Sequence, residues 1–269
     1  MKTAAYTICK NEIKKIEQWF YYTKDFDYRV ILDTGSTDGT YDRLKQIQEI
    51  DKNLILDQFI LDDFRFDVVR NINLNMIPID VDWCLSPDMD EYFSINVLKE
   101  IEFIQSNHPK ATSIGCTRLD IYSEVVFVGP PKFIGTNKIH KRHFYDWKNP
   151  VYEFLSYIGP EQELEAFSNN IFLIHDQDIN KPRSNLYFEL MKKEYKVNPK
   201  NSWNSWFLAN EYFKNQDLDN FVSVAIDFCN NSIKDQKYFE VMSTLKNIYN
   251  SINIDDKIKD QIKTNLIIA

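Results

Sequence analysis

No apolar run in this chain approaches the ~18 residues that a membrane-crossing helix needs, so the sequence predicts no such helix and leaves only peripheral membrane contact open. The amino terminus offers Lys2 and a short mixed segment that soon reaches Lys10, Asn11 and Glu12. It lacks the apolar centre of a secretory signal, and the mature chain is expected to begin here. Positive charge is the scarcer sign: 32 Lys and Arg stand against 40 Asp and Glu, a net charge of −8, which argues against nucleic acid as a partner. Cysteine is scarce and unpaired. Cys9, Cys84, Cys116 and Cys229 sit singly, without the spacing of a zinc site or a disulfide framework, and fit reduced thiols in a cytoplasm. The chain also has neither the G-x-G-x-x-G dinucleotide fingerprint nor the G-x-x-x-x-G-K-[ST] phosphate loop, and no low-complexity stretch.

What is present is ordinary globular material: 269 residues, 43% hydrophobic and 27% charged, enough for one large domain or a domain with an appendage. Thr3 to Cys9 is a β-prone run, followed by Ile13, Ile16, Trp19 and Phe20 at helical spacing. Tyr28 to Leu32 reads as a strand buried in a parallel sheet, and it stops at the polar loop Asp33-Thr34-Gly35-Ser36-Thr37-Asp38-Gly39-Thr40. A helix carrying Leu44 and Ile47 and a strand from Leu54 to Ile60 continue the β-α-β alternation of a mostly parallel α/β sheet. In such sheets ligands bind at the carboxyl ends of the strands, where Asp33 stands.

The densest chemistry is Asp88-Met89-Asp90-Glu91, reached through the apolar Trp83-Cys84-Leu85. In an extended chain Asp88 and Asp90 would share one face and aim two carboxylates at one point, which suits a hard divalent ion completed by substrate phosphates. By itself the same pattern equally fits an acidic turn closing a strand.

The Asp33–Thr40 loop resembles the D-x-G-S-T-D-G-T signature of family 2 glycosyltransferases, and Asp88 to Glu91 resembles their D-x-D-E metal motif. Cys9-Lys10-Asn11-Glu12 is similar to the K-N-E opening of the lipopolysaccharide-core-type branch, and Phe66 through Arg70-Asn71 to its F-x-x-x-R-N helix. Asn149-Pro150-Val151-Tyr152-Glu153, after Trp147, resembles a segment ending in V-H-E, with tyrosine replacing the histidine. His175 resembles the histidine that closes the catalytic domain. The likeness covers about the first two thirds of the chain.

It implies a GT-A fold and a metal-dependent, inverting transfer of a sugar from a nucleotide-diphosphate donor, a UDP-sugar, to a glycan, lipid-linked or peptide acceptor. Asp90 and His175 would hold Mn²⁺ or Mg²⁺, with Asp88 at the ribose or in the metal shell. Asp33 and Asp38 would face the nucleobase, and Arg70 the base or the phosphates. Inversion calls for a carboxylate that takes the acceptor's proton: Glu153, with Asp176 and Asp178 as rivals.

After His175 the pattern changes. Asp176 to Arg183 is polar, and the helical spacing that begins at Leu186 carries no strand signal, so residues 1–178 are expected to form the catalytic domain and 179–269 a helical region. The segments Ser202 to Lys214 and Val222, Ala225 and Phe228 resemble a tetratricopeptide-like pair. Two other functions stay open at this point: a catalytically weak relative that serves as a binding module, and a sugar nucleotidyltransferase.

Overall fold

The computed structural model describes residues 1–122, 132–177, 185–251 and 255–265. The chain forms two compact units, one of Met1–Asn149 with Glu153–Pro182, the other of Pro150–Tyr152 with Arg183–Ala269. Asp178 and the polar stretch 178–184, where the sequence changes character, lie outside the described residues.

In the first unit, the apolar runs become β1 (Thr3–Cys9), β2 (Tyr28–Asp33) and β3 (Leu54–Gln58), separated by α1 (Ile16–Thr23) and α2 (Thr40–Ile50). Then come α3 (Phe66–Asn75), β4 (Trp83–Leu85), β5 (Glu91–Phe93), α4 (Val97–Asn107), β6 (Ser113–Tyr122), β7 (Lys132–Lys141), the hairpin pair β8 (Tyr145–Lys148) and β9 (Phe154–Tyr157), and β10 (Glu165–Gln177). Among the described residues, eight strands make one sheet in the order β3-β2-β1-β4-β7-β6-β10-β5, and β8 with β9 makes a second. Pairings β1–β2, β2–β3, β1–β4 and β6–β10 are parallel; β4–β7, β6–β7 and β5–β10 are antiparallel.

Both faces of the sheet are covered, which is why its strands read as continuous apolar runs. The two-residue period of β1 sends Ala5 and Cys9 into one core cluster with Ile31, Trp83 and Leu85, and Ala4 and Tyr6 into another with Val30, Cys84 and Trp147. Strand order reverses around β1, with β2 on one side and β4 on the other. The connections leaving β1 and β4 therefore part company and open a crevice at the carboxyl edge, the usual ligand position in an open sheet. Asp33 ends β2 beside Cys9 of β1, and Asp88 follows β4.

The second unit is helical: α5 (Leu186–Val197), α6 (Ser202–Lys214), α7 (Leu218–Asn231), α8 (Gln236–Tyr249) and α9 (Asp256–Asn265). Asn201, Asp217 and Asp235 cap α6, α7 and α8, each accepting from the backbone N–H three residues on. Leu208, Ala209, Val222, Ala225 and Leu245 are fully buried in it. Tyr152 belongs to this unit and stacks on Phe207, with centroids 3.8 Å apart and planes 14° from parallel, while its carbonyl accepts from Trp203 Nε1 at 3.0 Å. Where the sequence likeness calls for a histidine, this chain has an aromatic ring engaged in packing. Among the described residues no helix is long and apolar enough to cross a membrane.

Candidate functional site

The Asp33–Thr40 loop is folded by its own acids. Asp33 is fully buried; its Oδ1 accepts from the Gly35 and Ser36 backbone N–H groups at 2.9 Å and from Gln58 Nε2 at 2.8 Å, and its Oδ2 from Ser36 Oγ at 2.5 Å. Desolvation opposes its charge, but the donors from Ser36, Gln58 and Gly35 prevail and hold its carboxyl below the usual range. Asp38 accepts from Thr40 N–H and Oγ1 and from Ile13 N–H. Gly35 and Gly39 sit at φ of +98° and +94°, a left-handed backbone that side chains resist, and a Cβ at Gly35 would come within 3.2 Å of Ile60. The K-N-E segment closes the loop from outside: Asn11 N–H donates to Ser36 Oγ, Asn11 Oδ1 accepts from Thr37 N–H, and Glu12 N–H donates to Thr40 Oγ1. Two segments matched separately in the sequence are thus one structural piece.

A second group lies past β4. Arg70, buried on α3, spreads its guanidinium between Glu153, with Nε 2.5 Å from Oε1, and Asp88, with Nη2 2.8 Å from Oδ1. The Trp147 ring lies under it at 4.6 Å, and Asn71 fixes the Trp147 backbone by both its amide N–H and its carbonyl. The F-x-x-x-R-N helix and the tryptophan before the V-Y-E segment therefore recognise each other. Glu153 sits in the β8–β9 connection, between two non-glycine residues of positive φ, Asn149 (75°) and Tyr152 (51°), and β9. Its carboxylate is tied to Arg70, so the candidate base and a candidate nucleotide residue are mechanically coupled.

The expectation that Asp88 and Asp90 aim at one point is not met. Residues 86–90 do not continue β4 as a strand; Glu91 N–H donates to the Asp88 carbonyl at 2.9 Å and closes a turn. The alternation argument holds for extended chain alone. Asp88 turns to Arg70 and to Lys138 Nζ at 3.1 Å, while Asp90 Oδ2 turns to His175 Nε2 at 3.3 Å. Desolvation works against the Asp88 charge, yet Arg70 and Lys138 hold its carboxyl far below the usual range.

His175 is brought to the acids by register. On β10 it pairs with Glu91 of β5 and with Asp120 of β6, and its Nδ1 lies 3.1 Å from Asp120 Oδ1 with Arg118 Nη2 against the same nitrogen. Burial disfavours the imidazolium, but Asp90 raises the proton affinity of His175 above its ordinary value. A metal ion would compete for that position. The donor set fits a divalent ion: one carboxylate, Asp90, whose side chain is 30% exposed, and one imidazole oriented by a carboxylate behind it. Among the described residues no three His, Cys, Asp or Glu side chains form a ready-made cage, so substrate oxygens would have to complete the shell. Asp176, the rival base, is paired with Lys15 at 2.7 Å, and its N–H donates to the Asp90 carbonyl.

Sequence reading missed Lys138, Arg118 and Asp120. Nothing in their local patterns sets them apart, because each sits on a strand whose neighbours are chosen by the sheet. Glu91, the last letter of the motif in sequence, is buried, accepting from Asp88 N–H, Arg118 and Lys138.

No protein-family model and no curated protein matches the sequence. Among solved structures the chain is similar to residues 1–349 of TarS from S. aureus in complex with UDP-GlcNAc, with a TM-score of 0.55 at 13% identity, covering 98% of this chain and 89% of that one. A longer TarS structure gives 0.54 at 14% identity over 87% of this chain, which spans half of that one (50%). At such identity the likeness speaks for architecture: a mostly parallel sheet with flanking helices, the GT-A glycosyltransferase fold, followed by a helical region.

Proposed function

We propose that the protein is a metal-dependent, inverting glycosyltransferase that moves a sugar from a nucleoside-diphosphate donor, a UDP-sugar, to a hydroxyl of a glycan, lipid-linked or peptide acceptor. The observation that carries this reading is the linked set of ion pairs at the carboxyl edge of the GT-A sheet, running from Glu153 through Arg70 to Asp88 and including Asp90 with His175. The GT-A fold supports it, as does the UDP-GlcNAc in the TarS structure of the same fold.

In this reading Asp33 and Asp38 shape the nucleotide-binding loop, Arg70 and Asp88 meet the nucleotide sugar, and Asp90 with His175 would hold Mn²⁺ or Mg²⁺. When bound, the ion offsets charge on the diphosphate. The acceptor oxygen attacks the anomeric carbon from the far face, the carbon–oxygen bond to the diphosphate breaks with its electron pair, and Glu153 takes the acceptor's proton. Buried Arg70 orients the Glu153 carboxylate that accepts it. The K-N-E, R-N and V-Y-E segments support the lipopolysaccharide-core-type branch, with residues 1–178 as the catalytic domain and α6–α7 as a tetratricopeptide-like pair in the region that follows.

Incubation with a panel of sugar nucleotides and Mn²⁺ or Mg²⁺ tests this. Release of nucleoside diphosphate that depends on an acceptor is expected. Release of pyrophosphate from a nucleoside triphosphate and a sugar phosphate would instead mark a nucleotidyltransferase, and no release with any donor a binding module.

A further inference from the structure

The Asp88–Glu91 turn is neutralised by cations that belong to the chain. Lys138 on β7 is 11% exposed at its side chain; its Nζ stands 3.1 Å from Asp88 Oδ2 and against Glu91 Oε2. Arg70 Nη2 takes the other oxygen of Asp88 at 2.8 Å, and Arg118 Nη1 the other oxygen of Glu91 at 3.3 Å. The order is therefore Arg70, Asp88, Lys138, Glu91, Arg118, with every oxygen of both carboxylates facing a cation. Asp90, between those two acids in sequence, turns to an imidazole instead.

An ammonium bridging two carboxylates fills the position a divalent ion would seek there. Cation binding is tuned by how many charged oxygens converge, and Lys138 removes two residues from that count. We propose that Lys138 is a resident cation of the acidic motif: it keeps a metal ion off Asp88 and Glu91, restricts it to Asp90 and His175, and sets a fixed positive charge beside the donor's diphosphate. The last clause rests on the glycosyl-transfer reading; the first two do not. Lys138 acts here as a positioning residue, held by a strand that contributes nothing to the recognised motifs. An unpaired charge in such a buried place is costly, so the lysine and the two acids constrain one another.

The test uses the full chain and two probes, Mn²⁺ alone and UDP, followed by titration calorimetry, with circular dichroism to confirm folding. Lys138→Met should bind Mn²⁺ alone about tenfold more tightly than wild type, since Asp88 and Glu91 regain free oxygens, and should bind UDP without metal about tenfold more weakly, since the fixed positive charge that offsets the two carboxylates is lost. Lys138→Arg should stay near wild type in both. A folded Lys138→Met whose affinity for Mn²⁺ is unchanged or weaker overturns the proposal. Should Lys138→Met fail to fold, Asp88→Asn and Asp90→Asn decide: with Lys138 in place, Asp88→Asn should leave Mn²⁺ binding within a few fold of wild type while Asp90→Asn abolishes it, and equal loss in both overturns the proposal. The Mn²⁺ measurements use no nucleotide, so their failure does not touch glycosyl transfer; a wild-type protein that ignores UDP even with Mn²⁺ would count against that function and not against Lys138.

Discussion

Two buried polar groupings meet at Trp147, and they are built on opposite principles. On one side, Trp147 Nε1 donates to Tyr6 Oη at 3.0 Å, Tyr6 Oη lies 3.0 Å from His140 Nε2, and His140 Nδ1 lies 3.0 Å from the Lys141 carbonyl. With Nδ1 carrying the proton, every member is satisfied and no charge is needed. On the other side, Arg70 over the Trp147 ring belongs to a row of full charges that runs from Glu153 to Asp120. The neutral relay is shut off from water, with Tyr6 and His140 at 1% and 0% exposure, whereas Asp88 and Asp90 keep about a third of their side chains open. A closed network can only stabilise. An open, charged one has capacity left for a ligand, and a charged ligand has a reason to enter.

Chemistry should separate the two most widely. Glu153→Gln is expected to lower turnover of the active sugar nucleotide by ~10²–10⁴-fold, the usual contribution of a positioned base, whereas Tyr6→Phe should leave turnover within a few fold of wild type. If Asp176→Asn is inactive while Glu153→Gln is not, the base belongs to β10. UDP affinity should be measured on the same preparations, because Glu153 also orients Arg70.

Stability comes next. Arg70→Met removes the cation from Glu153, leaves Asp88 to Lys138, and should cost ~3–5 kcal/mol in chemical denaturation, as removal of one partner from a buried ion pair does. Adding Glu153→Gln should recover part of that loss. Complete additivity of the two changes would show the pair to be uncoupled.

The relay responds to acid. Burial lowers the His140 pKa from 6.5 to about 4, so the folded state keeps it neutral while the unfolded chain takes up a proton. Stability is then full above pH 6.5 and falls as pH drops toward 4, by ~3 kcal/mol from this group, with the slope set by the proton difference between the states. Tyr6→Phe, which leaves Trp147 N–H and His140 Nε2 unpaired, should cost ~1–3 kcal/mol at neutral pH. Urea titrations at pH 7 and pH 5 check both.

The smallest effect belongs to the surface. Arg43 and Glu17 form a 2.6 Å pair with side chains 43% and 71% exposed, and Arg43→Ala should change stability by less than about 1 kcal/mol. A larger loss would mean that burial is not what divides strong pairs from weak ones here.

The elements were largely legible in the sequence. The strand Thr3–Cys9 and the helix Ser202–Lys214 lie where apolar periodicity puts them, because periods of two and of 3.6 residues are local properties of a covered strand and a covered helix. The left-handed turns of the Asp33–Thr40 loop follow from Gly35 and Gly39, and the cap of α6 from Asn201. The site was legible as a list of residues and not as an arrangement. Asp88 and Asp90 look like a convergent pair in sequence but take different partners, Arg70 and Lys138 for one and His175 for the other, since a turn closed by Glu91 replaces the extended chain.

The amino-acid sequence by itself thus determined where the opening strands and helices and the α6–α7 pair lie, which loop must turn on glycine, and that acids gather after β4. The tertiary structure decided who faces them. Lys138, Arg118 and Asp120 come from strands far along the chain, and His175 reaches Asp90 because β10 runs between β5 and β6 in one register. A shift of one residue in that register would turn His175 to the other face of the sheet, and no local propensity records it: a strand's own sequence tells which side chains point together, while its partners are set by the whole sheet.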